Sequence, residues 1–406
     1  MPRTDLRAHL ERYRDDLLTD TIPFWLEHGL DREHGGLLSS LGRDGTLLDS
    51  DKAVWVQGRC AWLLATLHNT VEARQDWFDG AISCLEFLEA HAFDTDGSMF
   101  FLVTREGRPL RKRRYVYSEA FACMAFASCS KATGCDVLAQ RARDLFQAYT
   151  TQSFGPGSIQ PKIDPSTRPS KGIGPLMICI SLAQTLRETI GFDEAQPWID
   201  RCIDEIERDF CKPEHGVVME VVSPTGELID HFDGRTLNPG HAIEAAWFIL
   251  HEARYRGGDE RLVRLGVQIL DWMWERGWDQ EYGGLYYFRD LHDKPVQEYW
   301  HDMKFWWPHN EAIIACLLAY TLTGEPRHAE RHALVHEWAH SYFADPTHGE
   351  WYGYLHRDGS VSVDLKGNHW KGPFHLPRMQ LYCWQLLEEY LGREGTREAE
   401  VRDGRS

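Results

Sequence analysis

The sequence predicts an all-α protein, an (α/α)6 barrel with short β-hairpins at one end, and three observations carry that reading. First, a local pattern recurs: acidic or polar residues, a glycine, then alternating apolar residues. It reads DREHGGLLSSL from Asp31, DTDGSMFFLV from Asp94, KPEHGVVMEVV from Lys212, DQEYGGLYYF from Asp279 and DPTHGEWYGYL from Asp345, with a weaker copy, GPGSIQPKI, from Gly155. The marker glycines Gly35, Gly97, Gly157, Gly216, Gly283 and Gly349 are spaced by 62, 60, 59, 67 and 66 residues, so six units of similar length fill the chain. Second, an amphipathic segment precedes each pattern, as in DWFDGAISCLEFLEAHAF, with apolar residues at intervals of three and four. Third, a uniformly apolar segment follows each pattern, and a helix apolar all round is buried on all sides.

Taken in order, the apolar segments are VWVQGRCAWLLATL, SEAFACMAFASC, GPLMICISLAQTL, HAIEAAWFIL, EAIIACLLAYTL and FHLPRMQLYCWQLL. These are the inner helices, and the amphipathic segments are the outer ones. Between them, LVTREGRPL, VVSPTGEL and YLHRDGSVSV alternate and turn as hairpins do. An outer helix returns the chain between successive inner ones. All inner helices therefore run parallel, with their N-termini gathered beside the hairpins. A length of 406 residues is compatible with two or three domains, but no linker divides the chain. The reading is one domain over residues 1–392 and a disordered, polar tail over 393–406.

Residues that open inner helices must converge at the hairpin end. They include Arg59 and Trp62, Tyr117, Ser118 and Glu119, His241 and Glu244, Trp306, Trp307, His309 and Glu311, and Phe374, His375 and Arg378. In NPGHAIEAAWF, Asn238 is placed to cap the helix and Pro239 sits where a missing N–H costs nothing. The helix dipole disfavours an imidazolium at His241, while Glu244, three residues on, favours it, so the pair can hold a base near neutrality. Taken alone, His241 also fits a histidine that merely satisfies a backbone carbonyl. His375 in KGPFHLPRMQ places a second base at the same cavity, and two bases around one cavity point to proton transfer on two faces of a carbon. Arg59, deeper in its helix, fits either a carboxylate partner or an oxyanion donor. Trp306, Trp307, Trp351, Trp370, Tyr354 and Phe374 offer flat faces to a sugar ring, and Glu119 with Tyr117 completes the candidate binding set.

Other patterns bound the function. The formal net charge of -18 argues against nucleic-acid and anionic-membrane partners. The charged N-terminus MPRTDLRAHLERYRDD has no signal core and no segment reaches membrane-span length, which predicts a cytosolic protein. The ten cysteines contain no C-x-x-C pair and read as reduced, mostly buried thiols. VHEWAH holds His336, Glu337 and His340 in a formal H-E-x-x-H spacing, but on an outer helix, without a third-ligand pattern, so no metal site is expected. Two carboxylates such as Glu119 and Glu244 leave a glycoside hydrolase open, though two histidines would then be unexplained, and a purely binding protein is a third class.

The motifs WVQGRCAW, FLVTREGRPL, RTLNPGHAIEAAWF, WDQEYGGLYYF, KFWWPHNEA, DPTHGEWYGYL and WKGPFHLPR together resemble the N-acylglucosamine 2-epimerase family, from the first helix to about residue 392. The resemblance implies an (α/α)6 barrel isomerase that interconverts N-acetylglucosamine and N-acetylmannosamine. The family's two histidines fall on His241 and His375, its arginine on Arg59, and its tryptophan pair with histidine and glutamate on Trp306, Trp307, His309 and Glu311. It also implies chemistry that needs no cofactor, a nucleotide, typically ATP, as an activator, and a homodimer. Relatives in the superfamily act on free sugars such as mannose or cellobiose. Those that are aldose–ketose isomerases resemble one another in a further histidine on the third inner helix. GIGPLMICISLAQTL lacks it, which favours the N-acyl branch. Glu244 is expected to orient His241 and tune its charge.

Overall fold

The computed structural model describes residues 3–112, 116–155 and 163–403. Most of the weak repeat copy GPGSIQPKI, Gly157 included, lies outside them. Outer helices α1 (Arg3–Asp16, extended through π-helical turns to Gly29), α3 (Gln75–His91), α5 (Asp136–Phe154), α7 (Ala195–Glu205), α9 (Glu260–Gly277) and α11 (Pro326–Tyr342) alternate with inner helices α2 (Val54–Thr70), α4 (Tyr117–Thr133), α6 (Gly174–Ile190), α8 (Pro239–Tyr255), α10 (Trp306–Thr323) and α12 (His375–Asp403). This is the (α/α)6 barrel the sequence predicts.

The two classes of helix differ as their sequences do. Every residue of α10 from Trp306 to Ala319 is buried, whereas α9 buries a stripe of Leu262, Leu265, Ile269, Leu270 and Met273 at helical spacing. Asp259 caps α9, its Oδ1 accepting from the amides of Arg261 at 2.9 Å and Leu262 at 3.1 Å. Gly58 lets α2 and α4 touch, since a Cβ there would lie 2.6 Å from the backbone carbonyl of Phe121. Helix α12 continues to Asp403, so backbone beyond residue 393 is helical where the sequence predicts disorder. Glu, Arg and Ala in REGTREAEVRD are good helix formers, and an Arg393–Glu389 ion pair spans the boundary.

The strands stitch neighbouring units. Lys52–Ala53, leading into α2, pairs antiparallel with the hairpin Phe100–Val103/Pro109–Lys112 of the next unit. Lys304–Phe305, leading into α10, pairs likewise with the hairpin Tyr354–Leu355/Val361–Val363. VVSPTGEL makes a closed turn rather than a hairpin, because Val221–Val222 pairs with Lys171–Gly172 instead of with its own downstream run.

Beneath these strands lies a buried ion lock that repeats. Asp31 binds Lys52 (2.8 Å) and Arg105 of the next unit (2.9 Å), and Asp279 binds Lys304 (3.0 Å) and Arg357 of the next unit (2.8 Å). Asp345 binds Lys366 (3.0 Å) and Arg43 (2.8 Å). Arg43 belongs to the first unit and Asp345 to the last, so the third copy closes the ring. The ten cysteines are free, and all but Cys135 are buried.

Candidate active site

At the hairpin end, Asn238 caps α8, its Oδ1 accepting from the His241 amide at 3.1 Å. The cap fixes the first turn, which carries His241. Its Nδ1 lies 3.0 and 3.1 Å from the two carboxylate oxygens of Glu220, and its side chain stays about a third exposed, at 35%. Burial opposes the charged form of His241, but Glu220, aided by Glu244 and Glu311, outweighs it and raises the pKa above the ordinary value. A carboxylate at Nδ1 also leaves Nε2 as the atom free for chemistry.

His375 opens α12 and is nearly buried. Its Nδ1 lies 2.6 Å from Glu311 Oε1, so this ring, too, is held by a carboxylate at Nδ1. Its pKa moves the opposite way, pushed well below the ordinary value by burial and by the neighbouring Arg378 and Arg59 cations. Trp307 packs beside both imidazoles, its ring centre 5.0 Å from that of His241 and 5.7 Å from that of His375. Gly240 makes room for it, since a Cβ there would lie 2.7 Å from the indole.

Arg378 lies beneath the histidines and donates from Nη2 to Glu244 Oε1 and to Glu311 Oε1, both at 2.6 Å. Glu244, Glu311 and His375 offer ligand atoms within 4.8 Å of one another, as a cation site would. The Arg378 guanidinium already provides the positive charge there. Arg59 has no carboxylate partner among the described residues, and its buried Nε makes no hydrogen bond. It is held by the rings of Phe121 (4.1 Å), Trp55 (4.5 Å) and Phe374 (4.5 Å). Burial, with repulsion from Arg378, lowers its pKa to about 9, which still leaves it cationic at neutral pH.

Several residues do something other than the sequence predicts. Glu244 is bonded to Arg378 and helps to raise the His241 pKa, as expected, but it does not orient the ring; Glu220 does. Glu311 is not a substrate contact, because it is fully buried with Oε1 taken by His375 and Arg378 and Oε2 by Trp247 Nε1 at 2.7 Å. His309 is not one either. Its Nε2 accepts from the Leu285 amide (2.8 Å), its Nδ1 donates to the Phe305 carbonyl (2.6 Å), and burial lowers its pKa to about 3. Glu119 tethers the adjacent hairpin by accepting from the Met99 amide at 2.8 Å.

The aromatics divide in the same way. Trp306 sits edge-on behind His375 at 6.1 Å, and Phe374 is buried between Arg59 and Arg378. Tyr117 directs its hydroxyl towards Gly174, at the start of α6. Trp370 is 44% exposed and forms a rim with Trp55 and Phe101 at 5.6 and 5.5 Å. Glu220 left one signal in the sequence, a lone carboxylate inside the apolar run VVMEVV.

The H-E-x-x-H residues lie elsewhere, between α11 and α1. His336 Nδ1 and His332 Nε2 both contact the Tyr13 hydroxyl, at 2.7 and 3.0 Å, His340 Nδ1 donates to the His336 carbonyl at 2.8 Å, and Glu337 is exposed on another face. None of the described helices is long and apolar enough to cross a membrane.

Comparison with known proteins identifies the family. A sequence profile described as N-acylglucosamine 2-epimerase (GlcNAc 2-epimerase) matches residues 35–376. The N-acylglucosamine 2-epimerase of Rattus norvegicus is 36% identical over 392 residues, covering 93% of this chain and 92% of the rat protein. The Homo sapiens counterpart is 34% identical, covering 96% and 93%. Among solved structures, the cellobiose 2-epimerase of Spirochaeta thermophila superposes with a TM-score of 0.82 at 20% identity, covering 96% of this chain and 99% of its own. A D-mannose isomerase gives 0.77 at 17% identity, covering 96% and 98%, and these two share the fold. The chain belongs to the N-acylglucosamine 2-epimerase family.

Proposed function

We propose that this protein interconverts N-acetyl-D-glucosamine and N-acetyl-D-mannosamine by moving a proton at C2 between two histidines. The observation that carries the reading is the pair of imidazoles that share Trp307 as a neighbour, each held by a carboxylate at Nδ1 and pushed in opposite directions in pKa. One is a base and the other an acid at the same pH, as epimerisation across two faces needs.

In the open-chain sugar the C1 aldehyde acidifies the C2 proton. His375 Nε2 takes that proton, and the electron pair moves into C1–C2 as the aldehyde oxygen becomes an enolate oxygen. Arg59, a cation without a carboxylate partner among the described residues, stabilises that charge. His241, protonated beside Glu220, then delivers a proton to C2 from the opposite face and the carbonyl re-forms. The reverse reaction exchanges the two roles. Proton transfer of this kind contributes roughly 10²- to 10⁴-fold, and an oxyanion donor roughly 10²- to 10³-fold. Glu311, Glu220 and Arg378 are positioning residues.

The free-sugar alternative draws on the fold neighbours, but the mammalian N-acyl epimerases are nearer in sequence than the cellobiose 2-epimerase of Bacteroides fragilis, at 24%. A hydrolase is disfavoured, because Glu119 is tied to a backbone amide and Glu244 to Arg378. Activation by ATP, a cytoplasmic location and a homodimer belong to the same proposal; rates with and without ATP and the solution mass test the first and last.

Proton NMR of N-acetylmannosamine, and separately of mannose, in D2O decides the matter. Conversion to the C2 epimer with deuterium arriving at C2, lost in His375→Ala, is the expected result. No deuterium uptake from either sugar overturns the two-histidine mechanism.

A further inference from the structure

Behind the histidines, towards the C-terminal ends of the inner helices, the barrel axis is hollow. A cavity of about 540 Å³ opens there, far from the hairpins. It exists because Thr66 of α2 and Ser181 and Thr185 of α6 face the axis with small side chains where bulkier ones would fill it. Its walls have the chemistry of a ligand site. Trp62, Trp247 and Tyr382 present aromatic faces. The Thr66 and Thr185 hydroxyls donate to their own helix carbonyls at 2.7 and 2.9 Å, which leaves them as acceptors towards the cavity. At the rim, Arg254 and Arg393 share Glu389 and His251 pairs with Glu188, so among the described lining residues no carboxylate is left unpartnered to select a cation. Arg378 lines the cavity with its side chain 6% exposed and its buried Nε unbonded.

Aromatic faces, threonine acceptors, the unbonded Arg378 Nε donor and a rim whose carboxylates are paired fit an uncharged molecule that both donates and accepts hydrogen bonds. We propose that this cavity is a second, non-catalytic site for a neutral sugar. Arg378 and Trp247 line it and both bind Glu311, the carboxylate that holds His375. Occupancy therefore reaches the base through two hydrogen bonds, a coupling that rests on the function proposed above.

Equilibrium dialysis with radiolabelled N-acetyl-D-glucosamine counts the sites in the full chain. Two per chain are expected for the wild type and one for Ser181→Phe or Thr185→Phe, either of which fills the cavity and leaves the histidines intact. Thermal melting identifies a variant that has lost its fold, and the other then supplies the comparison. Initial rates against sugar concentration are expected to depart from a single hyperbola in the wild type and to follow one in the filled variants. One site per chain in the wild type, or a second site that survives filling, overturns the proposal. One site with epimerisation intact leaves the proposed function standing, whereas cavity binding without epimerisation removes that function and the coupling but keeps the site.

Discussion

Glu220 and His241 lie on different elements, and their 3.0 Å contact decides how the acid side of the chemistry responds to pH. The carboxylate raises the His241 pKa against the pull of burial, so the protonated form persists to higher pH than in a free histidine. Activity that needs this proton falls as pH rises through the raised value. Glu220→Gln removes the charge and keeps the shape. That fall should move to lower pH, so kcat on the alkaline side should drop while kcat on the acid side is retained. A kcat–pH profile with an unmoved alkaline limb would show that Glu220 does not tune the acid. Arg59→Met tests the opposite face of the site. The lost oxyanion donor should lower kcat by roughly 10²-fold, yet the variant should melt no lower than the wild type, because no partner carboxylate is left unpaired. A large fall in melting temperature would mean that Arg59 is a structural cation. At this scale the sequence was informative about residue type and less so about pairing. His241, His375 and Arg59 open or line inner helices and so could be placed by topology alone. Glu220 sits in the bend between the strands Val217–Val218 and Val221–Val222, and only the fold brings it beside a helix start, while the prominent Glu244 pairs with Arg378.

The ion locks belong to the elements. Two of them tie the strand before an inner helix to the following unit's hairpin, the third ties Lys366, in the segment before α12, to Arg43 of the first unit, and their aspartates are the first residues of the repeat motifs DREHGG, DQEYGG and DPTHGE. The repeat was visible in the sequence as spacing. Its chemistry was hidden because the lysine stands more than twenty residues beyond the aspartate and the arginine comes from the neighbouring unit. Lys304→Met should cost about 3–5 kcal/mol, the usual result of stranding one member of a buried pair, and Lys304→Met with Asp279→Asn should recover part of that. Urea unfolding of the two variants measures both, and a single-variant loss below about 1 kcal/mol would reduce the lock to a surface contact. The VVSPTGEL turn has a related cause: edge strands pair with whichever neighbour presents a free edge, and here the adjacent unit does so first.

For the whole molecule, the seam between first and last units governs stability against acid. Helix α1 closes the ring against α11 and α12, and His332, His336 and His340 are buried in that seam around Tyr13, with His9 beside them. Burial keeps these imidazoles neutral, with His340 lowered to about 3 and His332 and His336 pushed well below the ordinary value; mutual repulsion adds to the effect. Their folded pKa values lie below the unfolded value, so the unfolded chain takes up protons first. Stability is then full above about pH 6.5 and falls as pH drops below it, by up to about 2 kcal/mol per histidine at pH 5. Asp20, raised to about 6 by burial near Glu350, and Asp16, also raised by burial, act in the opposite sense, while His9 in the seam and His309 and His375 inside the barrel, all lowered by burial, add to the loss. The lock aspartates do not contribute in this window. Against the pull of burial, hydrogen bonds from Arg105 and Lys52 hold Asp31 well below the carboxylate range, and Arg357 and Lys304 do the same for Asp279, so these groups lose stability only below about pH 4. Two separate acid phases should follow. Between pH 6.5 and 5 the melting temperature should fall while amide exchange accelerates first in α1 and α11, and the strand segments around Lys52 and Lys304 should stay protected until pH 4. Uniform exchange across the barrel, or a melting temperature flat down to pH 5, would exclude the histidine seam as the acid-sensitive joint and leave the carboxylate locks as the cause of unfolding.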